Sequence, residues 1–450
     1  MEINERMSKR FAWLFGVMVL VSIGVLVACG SNYDPSSNGL VLVGSQGSGL
    51  IETFSFNLYN GHLSEISNTP IDTSNYVCVL NGIPSSLVVN PAGTFAYAII
   101  NSNSSCPGSK TGILTFRVNV DGFTPTVGSL VPFNSGPAPV VPGMMVMDPS
   151  GKFLFVADRA TTDSAGLYVS GSVSVFAIGS GGTVTEVAGS PFFPTSQTIV
   201  PQASLDIVSV APTPTVFPAI GVNGVQNAVC SAVGMSPPTT EYLYAVDGIG
   251  NQVFEFAVNT SSGVLTNPLS AISVPSFPTD QIPAGVAVDP CDRFVYVSDS
   301  LTNKVSAYTI CNGYPTQSPT NCPLSPLPPD GSLVPVPGSP FSLTGSSNGP
   351  GPILVDPYGN NVYVLGTLSN TVSPLKISPV SGALTALSPA TVATGLQPMA
   401  MAIRGDDNWL FVTNYNAASM SQYSITPATG ALSVLPIVQT DNYPWGVAVK

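Results

Sequence analysis

Charge is scarce in this sequence of 450 residues. Asp, Glu, Lys and Arg together make up 8% of it, about a third of the usual quarter of a soluble domain. The bases do not cluster. Arg6, Lys9 and Arg10 lie near the start, and the nine that follow are scattered singly among 22 acids beyond residue 29. Without a basic stripe the chain has no means of neutralising a phosphate backbone, which argues against nucleic acid as a partner. Histidine is almost missing, with His62 the only one. With one His and no Cys-x-x-Cys spacing there is no zinc ligand set; no metal or other cofactor is expected. A quinone-dependent or electron-transfer reading lacks the metal ligands it would need. Long helical periodicity is absent as well. After residue 29 no apolar pattern of helical period lasts beyond about three turns.

What is abundant is turn chemistry and short apolar runs. Gly and Pro number 43 each, and with many short strands this composition predicts an all-β, turn-rich fold. Residues 285–310 show the unit. Three runs, 286–288, 294–297 and 305–310, are rich in β-branched and aromatic residues. They are separated by Asp289-Pro290-Cys291-Asp292 and by 299–303. Asp and Pro make such turns. A fourth run follows a glycine, as in Gly382-Ala383-Leu384-Thr385. Strands A, B, C and D of one antiparallel sheet result. One such sheet cannot bury both its faces, so it must stack on copies of itself.

The copies count to seven. Strand A with its turn recurs at 87–91, 145–149, 233–237, 286–290 and 353–357, with a degenerate copy at 401–405. Strand B follows at 95–99, 153–156, 242–245, 294–297, 362–364 and 410–412. The ends supply the seventh unit. Residues 445–450 read as a strand A without a B, and 40–43 as a strand B without an A. Joining them closes a ring and removes free sheet edges. The expected fold is therefore a seven-bladed β-propeller of four-stranded antiparallel blades over residues 39–450. A long inserted loop is expected at 194–226, in front of a fourth blade starting near 229; blade 5 carries its own Pro-rich insertion at 311–330.

The C–D segments Ile377-Ser-Pro-Val-Ser-Gly382-Ala-Leu384, Ile425-Thr-Pro-Ala-Thr-Gly430-Ala-Leu432 and Val258-Asn-Thr-Ser-Ser-Gly263-Val-Leu265 resemble the repeat of the seven-bladed lactonase propellers, the group of 6-phosphogluconolactonase and the exported YncE-like propellers. The resemblance implies the propeller and, as one possible activity, lactone hydrolysis. These motif residues are structural, so they do not locate a site.

The leader carries its own signal. A basic stretch precedes an apolar run at 11–27, which ends in Leu26-Val27-Ala28-Cys29. This resembles a bacterial lipoprotein signal, in which the terminal Cys is acylated; a plain secretory leader or a short anchor helix are the alternatives. The expectation is a signal at 1–29, lipid on Cys29, a polar tether at 30–38, and a monomer held to the membrane of the cell envelope by that lipid. Gly30 is not the Asp tied to inner-membrane retention in enteric bacteria, so the outer membrane is expected if the organism is Gram-negative. Export implies an oxidising compartment, and six further Cys remain. Propeller connectivity favours the pairs Cys78–Cys106 and Cys311–Cys322 and leaves Cys230 and Cys291 unassigned.

Candidate chemistry is sparse. Lactone hydrolysis needs a base for water and a cation or donor for the oxyanion. Asp158, Asp247, Asp299 and Asn414 recur at the end of strand B. Recurrence points to turn-binding side chains rather than to a cation-binding ring. Arg159 breaks the repeat, so an Asp158–Arg159 acid–cation pair is the catalytic candidate, against the alternative of an ordinary exposed salt bridge. Lys110 is the other base assigned to that face, with Asp72, Asp163, Asp280 and Asp441. Tyr415, Tyr443 and Trp445 are candidates for an aromatic binding rim. His62 lies where related repeats have Ala383 or Ala431 and reads as a solvated turn residue. The primary expectation is a lipid-anchored module that binds a small molecule or an envelope protein. The alternative is a hydrolase of an uncharged lactone, because phosphate recognition wants Arg or Lys and this face is acidic.

Overall fold

Apolar alternation within runs of six to eight residues gives this chain its strands, and the Asp-Pro and Gly turns between them set the order. The computed structural model describes residues 38–66, 71–72, 83–102, 110–119, 122–133, 140–162, 168–194, 199–200, 206–213, 240–267, 276–311, 321–323 and 328–450. Gly39–Lys450 form one compact unit, built as seven antiparallel blades. Blade 7 is representative. Strand A is Pro398–Ile403, B is Trp409–Asn414 and C is Ser419–Thr426; D is split into Ala431–Val434 and Val438–Gln439. The split outer strand recurs in blades 1, 4, 5 and 6.

The ring closes as the termini predict. Pro444–Val449 pairs antiparallel with Asn38–Ser45, with Val41 opposite Val449 and Val43 opposite Val447. The C-terminal strand is thus strand A of blade 1. Val41, Val43 and Val447 bury together with Trp409 and Phe411 of blade 7, and Leu42 and Ala448 with Leu87 of blade 2. Each blade-to-blade core has this form, B-strand aromatics and branched residues meeting the next blade's inner strand.

The glycine of the C–D turn has two jobs. In Gly61, Gly182, Gly263, Gly331, Gly382 and Gly430 the backbone is left-handed, with φ between 69° and 86°, which glycine adopts without steric cost. A Cβ at Gly182, Gly263 or Gly382 would also run into Phe95, Phe153 or Phe294, the first residue of strand B in the preceding blade. The carbonyls of Gly382 and Gly430 accept hydrogen bonds from Tyr296 Oη (3.0 Å) and Tyr363 Oη (2.9 Å) of that blade. The C–D motif is therefore the joint between blades. Arg293, fully buried, makes a second kind of joint. It forks onto Asp289 and donates to the Gly359 carbonyl of blade 6.

One expected boundary is wrong. Strand A of blade 4 is Ile207–Pro212, paired with Glu241–Asp247, and it lies inside the stretch read as an inserted loop at 194–226. The error comes from turn length. Every other A–B turn is short, whereas here 28 residues separate the two strands, so the match to the repeat nearest upstream of strand B is 233–237 and not the true strand A. That match lies outside the described residues.

Cys311 and Cys322 form the expected disulfide, with Cα atoms 5.8 Å apart. It ties the end of strand C in blade 5 to the insertion that follows. Cys291 is buried and also disulfide-bonded. Cys29, Cys78, Cys106 and Cys230 lie outside the described residues. No helix among the described residues is long and apolar enough to cross a membrane.

Candidate functional site

The seven inner strands enclose a central channel of about 860 Å³. One mouth is built by the B–C turns and the D–A loops. In blades 1, 5, 6 and 7 these are zipped together by paired backbone hydrogen bonds. Ser300 and Leu301, for example, donate to the carbonyls of Ile282 and Gln281, and Tyr415 and Asn416 to those of Gln397 and Leu396. The residue just before the first proline of strand A is left-handed in four blades: Ile282, Gly349, Gln397 and Tyr443 have φ of 53°, 61°, 52° and 59°. A proline fixes the strand entry, and the preceding residue takes up the sharp bend.

The recurring residue at the end of strand B holds this loop in place. Asp158 is buried and accepts hydrogen bonds from Ser172 Oγ (2.9 Å) and Ser174 Oγ (2.8 Å). Asp299 accepts from the Ser306 amide (2.9 Å) and hydroxyl (2.7 Å). Asn414 donates to Ser419 and Ser421 Oγ and accepts from the Gly395 amide. Asp247 accepts from the Asp206 and Ile249 amides, at 2.9 and 3.0 Å. Blade 1 exchanges the partners: the strand-B end is Ser45, and its hydroxyl donates to Glu52 on strand C (2.8 Å), which also takes the Asp441 amide. Burial pushes the Asp158 carboxyl up to about 8, against the pull of its two serines. It likewise pushes Asp299 and Glu52 up to about 7. Asp247, Asn414 and, in blade 1, Glu52 thus hold loop amides, whereas Asp158 and Asp299 hold serines of strand C.

The position after this recurring residue is where blades differ. Gln46, Arg159, Ser300 and Thr367 stand there, and all four line the channel. Arg159 is the only base among the described lining residues. The Asp158–Arg159 pair expected from sequence does not form. Successive residues of a strand point to opposite sides: Asp158 turns into blade 3, and Arg159 turns out to the mouth. Its partner is Asp206, at the entry of blade 4. Arg159 Nε lies 2.8 and 3.0 Å from the two Asp206 oxygens, and Nη2 lies 2.6 Å from Oδ2. The Ala160 amide donates to Asp206 Oδ1 at 2.7 Å. The Arg159 side chain remains 47% exposed while that of Asp206 is 12% exposed. The hydrogen bonds that Arg159 donates to Asp206 raise its pKa further, so the cation is permanent. Two short pairings beside it, Thr161–Thr162 with Tyr168–Val169 and Tyr168–Val169 with Ile199–Val200, form a small extra sheet built from the loops that flank Arg159 and Asp206.

The aromatic candidates do come together. Tyr415 and Tyr443 have ring centroids 4.9 Å apart, and Tyr415 meets Trp445 edge-on at 5.6 Å. Trp445 lines the channel, half-buried, and Tyr443 is 47% exposed. His62 is exposed in its turn, 3.4 Å from Ser64 Oγ. Asp280 bonds Lys304 at 2.9 Å, a cation at the start of strand C that sequence reasoning had not placed on this face. Asp163 lies outside the described residues. Asp206 was missed because blade 4 was misread. Its signal was its position immediately before an apolar run ending in Pro212.

A family model described as lactonase, 7-bladed beta-propeller, matches residues 332–449, the stretch from the outer strand of blade 5 to the closing strand. No curated protein sequence matches the chain. Among solved structures it is similar to the periplasmic gluconolactonase of Pseudomonas aeruginosa, at 17% identity and TM-score 0.63, covering 92% of this chain and 99% of that one. A provisionally assigned 6-phosphogluconolactonase of Bacteroides fragilis is similar at 18% identity and TM-score 0.60, over 93% and 99%. A Lactobacillus plantarum protein gives 13% identity and 0.63, over 92% and 99%. At such identities the likeness establishes the fold.

Proposed function

We propose that the mouth of the channel beside blades 3 and 4 is a lactonase site for an uncharged lactone. The observation that carries this is Arg159, a fixed cation and the one base among the described residues that line the channel. In lactone hydrolysis water adds to the ring carbonyl, charge develops on its oxygen, and the ring C–O bond then breaks to give a hydroxy acid. A guanidinium in place before the reaction stabilises that oxygen without reorganising. Asp206 is a positioning residue here; its side-on fork holds Nε and Nη2, and Nη1 has no partner among the described residues. The lactonase family match and the gluconolactonase neighbours support the same reading. The product is an anion, and the surplus of acids on this chain favours its departure.

Binding without turnover is the second reading. It is favoured by Asp206, whose two oxygens are both committed to Arg159 and to the Ala160 amide and so are poorly placed to take a proton from water. In either reading the ring works in the cell envelope, attached through lipid on Cys29, with a small molecule or an envelope protein as its partner. Hydrolysis of a panel of neutral lactones by the protein and by Arg159→Ala separates the two. Loss of about 10²–10³-fold in kcat is the expectation for removing one oxyanion donor. Turnover that the substitution leaves intact would remove Arg159 from the chemistry.

A further inference from the structure

Resting on the lactonase reading, we propose that the substrate is a lactone bearing an unbranched hydrocarbon chain, which lies along the channel while its carbonyl meets Arg159. The wall decides the class. Met144 and Met399 line the channel, half-buried and outside the cores between blades; Val88, Met147, Val208 and Leu354 line it too, each packed in part against such a core. Arg159 and Asp356 are the only charged residues among the described lining, and Asp356 is fully buried in an A–B turn. A largely apolar bore with a single cation at its mouth, among the described lining, matches a ligand with a small polar head and a long apolar tail. Unbranched, polarisable methionines adapt to such a tail better than branched residues do.

The polar atoms of the wall point the same way. A sugar lactone needs a partner for each hydroxyl it takes out of water, because each one left unpaired is costly. Three hydroxyls of the wall are already engaged with the protein, while Ser85 Oγ is buried without a partner among the described residues. Ser86 Oγ bonds the Met145 amide and carbonyl at 3.0 and 3.3 Å, Ser209 Oγ accepts from the Val286 amide at 3.3 Å, and Thr367 Oγ1 donates to the Gly349 carbonyl at 2.8 Å. The head group is selected as well. Arg159 and Asp206 together carry no net charge, so their site accepts a carbonyl dipole more readily than a carboxylate. Around the same mouth large apolar side chains stand in solvent: Ile282 at 49%, Leu301 at 59% and Leu368 at 73% exposure. They extend the apolar path beyond the bore.

The test uses the purified full chain and a series of γ-lactones whose ring substituent lengthens from methyl to octyl, with glucono-δ-lactone as the polyhydroxylated comparison. Two quantities are read, kcat/KM for hydrolysis and affinity from tryptophan fluorescence. Each added methylene that enters the bore improves both by up to about fourfold, and the sugar lactone is poor. Met399→Gln, nearly isosteric, flattens the slope with chain length, and its thermal midpoint verifies that it is folded. Best turnover on the sugar lactone, with no chain-length trend, overturns this inference and leaves the lactonase reading standing. Affinity that climbs with chain length while no lactone is hydrolysed supports the channel assignment and removes the hydrolase reading. Affinity independent of chain length overturns the inference outright.

Discussion

Replacing Gly446 by Ala tests the closure of the ring at a single atom. Gly446 lies on the C-terminal strand that forms the inner edge of blade 1, opposite Gly44. A Cβ there would overlap the Ser85 carbonyl oxygen of blade 2's inner strand and sit 2.8 Å from Leu87 Cδ1. The carbonyl is backbone within Ile83–Val89 and cannot swing aside as a side chain would. The two inner strands must therefore separate, loosening Val447 and Ala448 from the cores they share with blades 7 and 2. Overpacking of a close site costs roughly 1–3 kcal/mol, and an unyielding partner puts this one near the top of that range. With the unfolding entropy of a domain of about 400 residues, about 3 kcal/mol lowers the thermal midpoint by about 4 °C. Gly405→Ala is the control. No atom lies within 4 Å of its Cβ and its φ is not left-handed, so the midpoint stays or rises slightly through loss of unfolded-state entropy. The assay is calorimetry or circular dichroism on both variants. An unchanged midpoint for Gly446→Ala would mean that the last strand does not press against blade 2, and the seam would be wrong.

Three further outcomes follow from the same geometry. Burial raises Glu52 and Asp299 to about 7, and Asp158, Glu241, Glu255 and Asp407 to about 8. Between about pH 4 and 8 the unfolded chain has released these protons while the folded one keeps them, so stability falls as pH rises across that window. The thermal midpoint should be highest near pH 4–5, and Asp158→Asn should remove part of the decline, since Asn414 already fills the equivalent position in blade 7 with two serine partners; a midpoint that rises from pH 5 to 8 contradicts the burial. Reducing the disulfide through Cys311→Ser and Cys322→Ser reopens a loop of sequence separation 11 and should cost about 3 kcal/mol in the chain-entropy picture, read as a lower denaturation midpoint. Cys29→Ser should move the protein from the membrane pellet to the soluble fraction and abolish incorporation of labelled fatty acid; retention in the membrane would favour an uncleaved anchor helix instead.

The repeat was legible because each blade spends the same residue types on the same physical task. Strand B shows it best: runs such as Phe294-Val295-Tyr296-Val297 are buried on both faces, so every residue is apolar or aromatic and the run stands out. The C–D glycine was visible for a similar reason, since only glycine combines a left-handed φ with contact against the neighbouring blade's ring. Blade 4 escaped because its strand A precedes an A–B connection far longer than the others, and sequence order carries no record of which apolar run a strand will choose across such a gap.

Sequence alone determined the architecture: the number of blades, the pairing of the two chain ends, and the recurrence of Asp or Asn at the ends of B strands. All of these depend on local periodicity and on the need to bury sheet faces and close sheet edges, which are properties of a segment and its repeats. Only the tertiary structure decided the site. Arg159 finds Asp206, 47 positions away on the next blade, because a strand alternates its side chains and a ring brings loop ends together. The apolar bore belongs to no single segment. It exists because seven inner strands, each contributing two to four half-buried residues, converge on one axis.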